Sequence, residues 1–455
     1  MTQLPVAFEE RMREQLSGEA EAFLEALQTE SPVSIRLNPG KLHSAEGLFP
    51  DTQAIQQVAW CDDAWYLSQR PVFTLDPCFH GGAYYVQEAS SMFLHHILKQ
   101  VMPDRSLRVL DLCAAPGGKS TLTAALLPED SLLVSNEVIR SRAAILKENM
   151  IKWGQDNVVV TNNDPADFTE LKGAFDIIIV DAPCSGEGMF RKDADAISEW
   201  SENNLRLCCE RQKRILADIW DCLKPGGHLI YSTCTYNPGE NEAILEWLME
   251  DFEARSIAIE HHFEEITSGH SSAHCYHFYP HKTRGEGFFT GVVRKENGQE
   301  FTPRRNKKSK PVKPISLPDN VKSFIRKPDH YSAYMNENRI GVIPSCHADF
   351  ISALEQYLRI QYKGCEIAEL NNHKIKLLPA LALWQGLDKT QCTVYEADCN
   401  TALTFLKKED ISTPALTGDW ILISYQGIGL GWCKNLGNRL NNYYPKEWRI
   451  RMKLD

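Results

Sequence analysis

VLDLCAAPGGKST, residues 109–121, is the stretch on which the fold turns. Val109–Leu112 reads as a short strand that runs into a turn of small residues, Ala114, Ala115, Pro116, Gly117 and Gly118, with a helix expected from about Lys119. Residues this small let a ligand lie against the backbone, so the turn predicts a nucleoside site at a strand end. A nucleotide-triphosphate loop of the GxxxxGK[ST] kind is excluded, because its first glycine would fall at Cys113. The GxGxxG spacing of dinucleotide sites is absent as well.

Outward from this turn the chain alternates apolar runs with helix-like stretches. LRVLDLCA (107–114), SLLVSNEV (131–138), NVVVTNND (157–164), FDIIIVDAP (175–183) and GGHLIYSTC (226–234) are separated by patterns such as Ser141–Trp153 and Asn203–Leu223. Continuous Val/Ile/Leu runs with helical crossovers predict strands buried on both faces, hence a doubly wound, Rossmann-like α/β core with its chemistry at the carboxyl strand ends. Glu137, about twenty residues after the glycine turn, is where a carboxylate would accept hydrogen bonds from the two ribose hydroxyls. Asp164, at the third strand end, is placed for an adenine amino group. Each acid alone could equally cap a helix; their succession along one crevice favours a cofactor.

The fourth and fifth runs end in DAPCSGEGMFRKD (181–193) and YSTCTYNPGENE (231–242). Both set a cysteine in a Gly/Pro turn facing the crevice, the setting of a nucleophilic thiol. The residues alone do not rank Cys184 against Cys234. The other twelve of the fourteen cysteines lack CxxC pairing or regular spacing, which argues for reduced thiols and against a disulfide framework or zinc ribbon.

Composition bounds the rest. A chain of 455 residues implies several domains, and 43% hydrophobic with 24% charged residues is the balance of a water-soluble protein. Without a membrane-spanning run or a signal-peptide pattern at the N-terminus, the expected location is the cytoplasm. The net charge of −11 confines any nucleic-acid surface to a local basic patch. TPRRNKKSKPVKP (302–314) reads as a solvated basic connector or a phosphate-contacting arm. NRLNNYYPKEWRIRMK (438–453) interleaves aromatic and basic residues, as RNA stacking surfaces and amphipathic strands both do. In SPVSIRLNPGK (31–41), Ile35 and Leu37 share one strand face and Arg36 and Asn38 the other, either at the surface or facing a phosphate or base. Tyr84 and Tyr85 are available to stack or to pack.

LDLCAAPGGKS, DAPCSGEG and STCTYNPGENE, in this order at successive strand ends, resemble the Sun (Fmu) family of RNA cytosine-5 methyltransferases, in particular its bacterial ribosomal-RNA branch. The resemblance extends over about residues 1–300 and, more loosely, the basic-aromatic C-terminal region. It implies a class I S-adenosylmethionine methyltransferase core at 101–297. The flanking parts would be an N-terminal RNA-facing region at 1–100, a basic linker at 298–318 and a C-terminal RNA-binding region at 319–455, PUA-like towards its end. Carbon 5 of cytosine is a weak nucleophile, so a thiolate must first attack carbon 6. The resemblance implies Cys234 for that attack and Cys184 for product release. Asp181 would touch the cofactor's methionine end and the base, Cys113, Ala114, Ala115, Pro116, Gly117, Gly118, Lys119, Glu137 and Asp164 would hold the nucleoside, and Lys119 would help polarise the base. No metal is implied. The implied partner is ribosomal RNA, within a small ribosomal subunit or free, and the implied state a monomer. Two alternatives stand beside this: the same reaction on tRNA, and a ribosome-assembly factor that binds RNA without turnover.

Overall fold

The structure, a computed structural model, describes residues 4–48, 54–269, 271–302, 315–371, 374–411 and 416–452. Most of the basic connector, 303–314, lies outside the described residues.

All five apolar runs are strands, because each is a Val/Ile/Leu segment with no polar face to leave in water. They are Arg108–Asp111, Leu132–Asn136, Val158–Thr161, Phe175–Asp181 and Leu223–Thr233. They pair in parallel in the order Leu223–Thr233, Phe175–Asp181, Arg108–Asp111, Leu132–Asn136, Val158–Thr161. The order reverses between Arg108–Asp111 and Phe175–Asp181, and a doubly wound sheet binds its ligand at the carboxyl side of such a switch point. The expected crossover helices are Arg140–Trp153 and Glu202–Trp220, and the helix after the glycine turn is Gly118–Leu126.

Antiparallel strands extend the sheet at both sides. Phe288–Arg294 pairs with Leu223–Thr233, and Cys275–Phe278 pairs with Phe288–Arg294. On the far side Ile360–Lys363, from the C-terminal region, pairs with Val158–Thr161 and covers an edge whose four residues are fully buried.

Helices Val6–Leu16 and Ala20–Ala26 open the chain, and their Phe8, Met12 and Phe23 pack against Phe190, Tyr236 and Tyr279 of the core. A four-stranded sheet follows, ordered Ala54–Gln57, Ala64–Leu67, Val33–Leu37, Tyr84–Val86. In it Arg36 and Asn38 face neither phosphate nor solvent; both are buried. Arg36 donates to Gln87 Oε1 (3.0 Å), Thr121 Oγ1 (2.6 Å) and the Gly118 carbonyl (3.2 Å), and its guanidinium lies over the Trp153 ring. Asn38 donates to the carbonyls of Gly82 and Trp153 at 2.9 Å each. The polar face of this strand therefore docks the N-terminal sheet on helix Gly118–Leu126. Tyr84 is buried in the core of the N-terminal sheet with its hydroxyl on Asp76 Oδ2, and the partly buried Tyr85 ring packs against the larger core, so packing takes up both.

The C-terminal region carries two more four-stranded sheets, Tyr331–Asn336 to Lys374–Leu377 and Thr393–Glu396 to Leu440–Asn442. In the basic-aromatic segment Tyr444 is buried and Tyr443 and Trp448 lie against cores. Those aromatics are thus taken up by packing, an outcome that local interleaving with charge does not distinguish from stacking on RNA. Among the described residues no helix is long and apolar enough to cross a membrane.

Candidate active site

The carboxyl ends of the parallel strands bring the predicted residues to one edge of the sheet. After Arg108–Asp111, the turn places Gly117 at φ +118°, a left-handed conformation that glycine adopts without strain, and a side chain there would press on Leu146 and Asn149. Neighbouring side chains hold the turn by its carbonyls: Arg142 donates to Ala115 O (2.8 Å) and Asn149 to Pro116 O (2.7 Å). Ala114 N–H donates to Asn136 O, and the Asn136 side chain joins Leu112, Asn163 and Thr161, lacing three strand ends together. Burial pushes the Cys113 thiol far above its usual range, so this cysteine is a neutral packing group.

Glu137 is buried, with Oε1 accepting the Ile139 N–H (2.9 Å) and Oε2 3.6 Å from Arg142 Nη1. Asp164 caps the short helix Pro165–Phe168 in a capping box and meets Arg214 at 3.5 Å. The capping role weighed for it from sequence is thus present, with the carboxylate still partly exposed at the strand end. Asp181 accepts from Ser232 Oγ (2.8 Å) and pairs with Lys119 Nζ (2.8 Å). Burial would lower the Lys119 pKa, but Asp181 outweighs it and holds the ammonium above its ordinary value. Beneath them, burial raises Asp111 to about 7 although Ser120 donates to it at 2.6 Å.

Cys184 and Cys234 end adjacent strands, and their sulfurs lie 3.1 Å apart. The Cys234 N–H points at Cys184 Sγ (3.4 Å) and the Cys234 carbonyl accepts from Gly188 N–H (2.8 Å). The sulfur–sulfur hydrogen bond, with burial, pushes Cys184 well above the usual thiol range. Cys184 therefore keeps its proton, and its thiol lies in hydrogen-bond reach of Cys234 Sγ.

Two carboxylates not singled out from sequence fix these turns. Glu240 accepts from Ser185 N–H (2.9 Å), Ser185 Oγ (2.6 Å) and Gln212 Nε2 (3.0 Å). Ser185 Oγ also meets Thr235 Oγ1 at 2.8 Å, so the residues after the two cysteines are tied directly. Glu187, wholly buried, accepts from Tyr236 N–H (3.1 Å), Trp200 Nε1 (2.8 Å) and Arg11 Nη2 (2.6 Å). Their only signal in the sequence was an acid inside a Gly/Pro turn with no basic neighbour, which suits a carboxylate that collects backbone N–H groups.

The edge thus brings together a turn of small residues, the buried carboxylate of Glu137, and Asp181 paired with Lys119. These acids fit a cationic cofactor whose sulfonium and ammonium they attract. Fold and crevice together define a Rossmann-like methyltransferase dependent on S-adenosylmethionine. Residues 98–294 match the family model described as 16S rRNA methyltransferase RsmB/F. Residues 4–89 match the N-terminal domain of 16S rRNA methyltransferase RsmF, and 392–450 the methyltransferase RsmF PUA domain. Ribosomal RNA small subunit methyltransferase F of Shewanella sp. (strain W3-18-1) is 31% identical over 93% of this chain and 92% of its own length. The protein of the same name from Enterobacter sp. (strain 638) is 30% identical over 97% and 95%. A methyltransferase homolog protein from Pyrococcus horikoshii, 28% identical, superposes with a TM-score of 0.55 over 64% of this chain and 94% of its own. The chain belongs to the RsmB/F family of 16S rRNA methyltransferases.

Proposed function

We propose that the chain methylates carbon 5 of a cytosine in 16S ribosomal RNA, with Cys234 as covalent nucleophile and Cys184 assisting release. The observation that carries this reading is the pair of cysteine sulfurs 3.1 Å apart beside the Lys119–Asp181 ion pair. Bound S-adenosylmethionine supplies an electrophilic methyl group. Cys113–Lys119, Glu137 and Asp164 hold its nucleoside, and Asp181 faces both its methionine end and the base.

Cys234 Sγ, as thiolate, bonds to carbon 6 and moves the electron pair of the ring double bond to carbon 5, while Lys119 polarises the base. Carbon 5 takes the methyl group. Its proton then leaves to a base, the sulfur–carbon bond breaks, and the pair returns to Cys234. Cys184 retains its proton and is in hydrogen-bond reach of that sulfur as it departs. The cytosine must be unpaired or flipped, at a cost of about a few kcal/mol offset by contacts to flanking RNA.

In this reading residues 1–100 and 319–455, the latter PUA-like towards its end, grip RNA on either side of a catalytic core at 101–297, with 298–318 as the basic linker. The chain acts as a cytoplasmic monomer on rRNA, free or within a small ribosomal subunit. The test uses RNA tritiated at cytosine carbon 5: one tritium is released per methyl transferred to 16S RNA, with tRNA inert. Methyl transfer without tritium release would sink the carbon 5 assignment, and preference for tRNA would sink the choice of substrate.

A further inference from the structure

Glu242, Cys275 and His277 stand apart from the cysteine pair, on the flank of the sheet. Cys275 and His277 alternate along strand Cys275–Phe278 and so project from the same face, and Glu242 opens helix Glu242–Asp251 above them. One donor atom from each lies within 4.8 Å of the other two. His277 Nε2 is 2.8 Å from Glu242 Oε1, while Glu242 Oε2 is buried with no hydrogen-bond partner among the described residues. A carboxylate oxygen left dry beside a thiol and an imidazole is costly unless a further partner meets it.

Gly269 supplies the space for that partner. A Cβ on it would lie 2.2 Å from Cys275 Sγ, 3.4 Å from His277 Nε2 and 3.6 Å from Glu242 Oε1, so the volume bordered by all three donors is open because residue 269 has no side chain. The remaining side opens on a cavity of about 670 Å³ lined by Glu246, Ser271 and Lys282 among others. His277 is oriented from behind: the Tyr279 ring stacks on it with centroids 5.5 Å apart, and Tyr279 Oη is 3.5 Å from Nδ1. In the tautomer in which Nε2 ligates, Tyr279 Oη is placed to accept the proton on Nδ1.

We propose that Glu242, Cys275 and His277 form a binding site for a divalent transition ion, Zn²⁺ by its sulfur, nitrogen and oxygen donors, with a water facing the cavity as fourth ligand. Binding replaces the Glu242–His277 hydrogen bond by two metal bonds: the Nε2 proton of that hydrogen bond shifts to Nδ1, where Tyr279 Oη accepts it, and the Cys275 thiol proton passes to solvent as the metal–sulfur bond forms. The ion staples helix Glu242–Asp251 to the sheet. It acts next to the nucleophile turn, because Asn241 accepts from Thr233 Oγ1 (2.6 Å) and donates to Thr235 O (3.0 Å) on either side of Cys234.

The test is titration of the untagged, chelator-stripped full-length protein with Co²⁺ and then Zn²⁺. One equivalent of Co²⁺ should bind with a thiolate charge-transfer absorption that Zn²⁺ displaces. Cys184→Ala/Cys234→Ala should keep this signal and Cys275→Ser should lose it. Glu242→Gln, which preserves the hydrogen bond to His277 and so guards against misfolding, should weaken Zn²⁺ binding by more than about tenfold. Absence of saturable binding, a charge-transfer band that survives Cys275→Ser, or unchanged Zn²⁺ affinity in Glu242→Gln would each overturn the site.

Discussion

Asp111 shows what a single buried carboxyl costs at the base of this crevice. Burial raises its folded pKa to about 7, and Asp181 and Glu137 add to the shift while Lys119 opposes it. The unfolded value is near 3.9. A pKa raised on folding means that the native state holds the extra proton. Its contribution to stability is therefore complete below about pH 4 and is lost as pH rises through 7. Asp111→Asn keeps an acceptor for Ser120 and removes the ionisation. The variant should be more stable than the parent at pH 8, by on the order of 1 kcal/mol or more, with a flatter pH profile of thermal midpoint. An unchanged slope would show that Asp111 is not the titrating group. At this scale the sequence disclosed the residues of the motifs but not those that brace them. Cys184, Cys234 and Glu137 announce themselves by strand-end position. Glu187 and Glu240 take their roles from Arg11, Tyr236, Ser185 and Gln212, partners 28 to 176 positions away.

Strand Val33–Leu37 illustrates the same limit for an element. Its alternation was plain, yet alternation says only that two faces differ. The second face is buried because Gln87, Thr121 and Gly118 meet Arg36 there, contacts that no local pattern encodes. The five core strands were legible because fully buried parallel strands need unbroken apolar runs. Arg36 stays cationic at neutral pH, burial lowering it only to about 10. Its removal takes a donor from three acceptors, Gln87 Oε1, Thr121 Oγ1 and Gly118 O, and leaves a void against Trp153. Arg36→Ala should cost about 2–4 kcal/mol in denaturant unfolding. It should also weaken S-adenosylmethionine binding measured by calorimetry, since Gly118 O is one of the acceptors. Loss of less than about 0.5 kcal/mol would place Arg36 among surface residues after all.

Across the whole molecule, the C-terminal region is part of the catalytic sheet's edge as well as an appendage. Ile360–Lys363 has too mixed a composition to be read as a sheet-completing strand, and it pairs with a segment some two hundred positions away. A chain ending at 318 would leave the outer edge of Val158–Thr161 unpaired, with Tyr362 and its apolar neighbours gone. It should elute as aggregates in size-exclusion chromatography where the full chain does not. A soluble, cooperatively folding truncation would show that the edge tolerates exposure.

Trapping the protein–RNA adduct tests the proposed division of labour between the two sulfurs most directly. Wild type, Cys184→Ala and Cys234→Ala would be incubated with labelled S-adenosylmethionine and 16S RNA and resolved on denaturing gels. Cys184→Ala should accumulate a stable protein–RNA adduct, and Cys234→Ala should give neither adduct nor methylated product. An adduct formed by Cys234→Ala and absent from Cys184→Ala would contradict the assignment and make Cys184 the nucleophile.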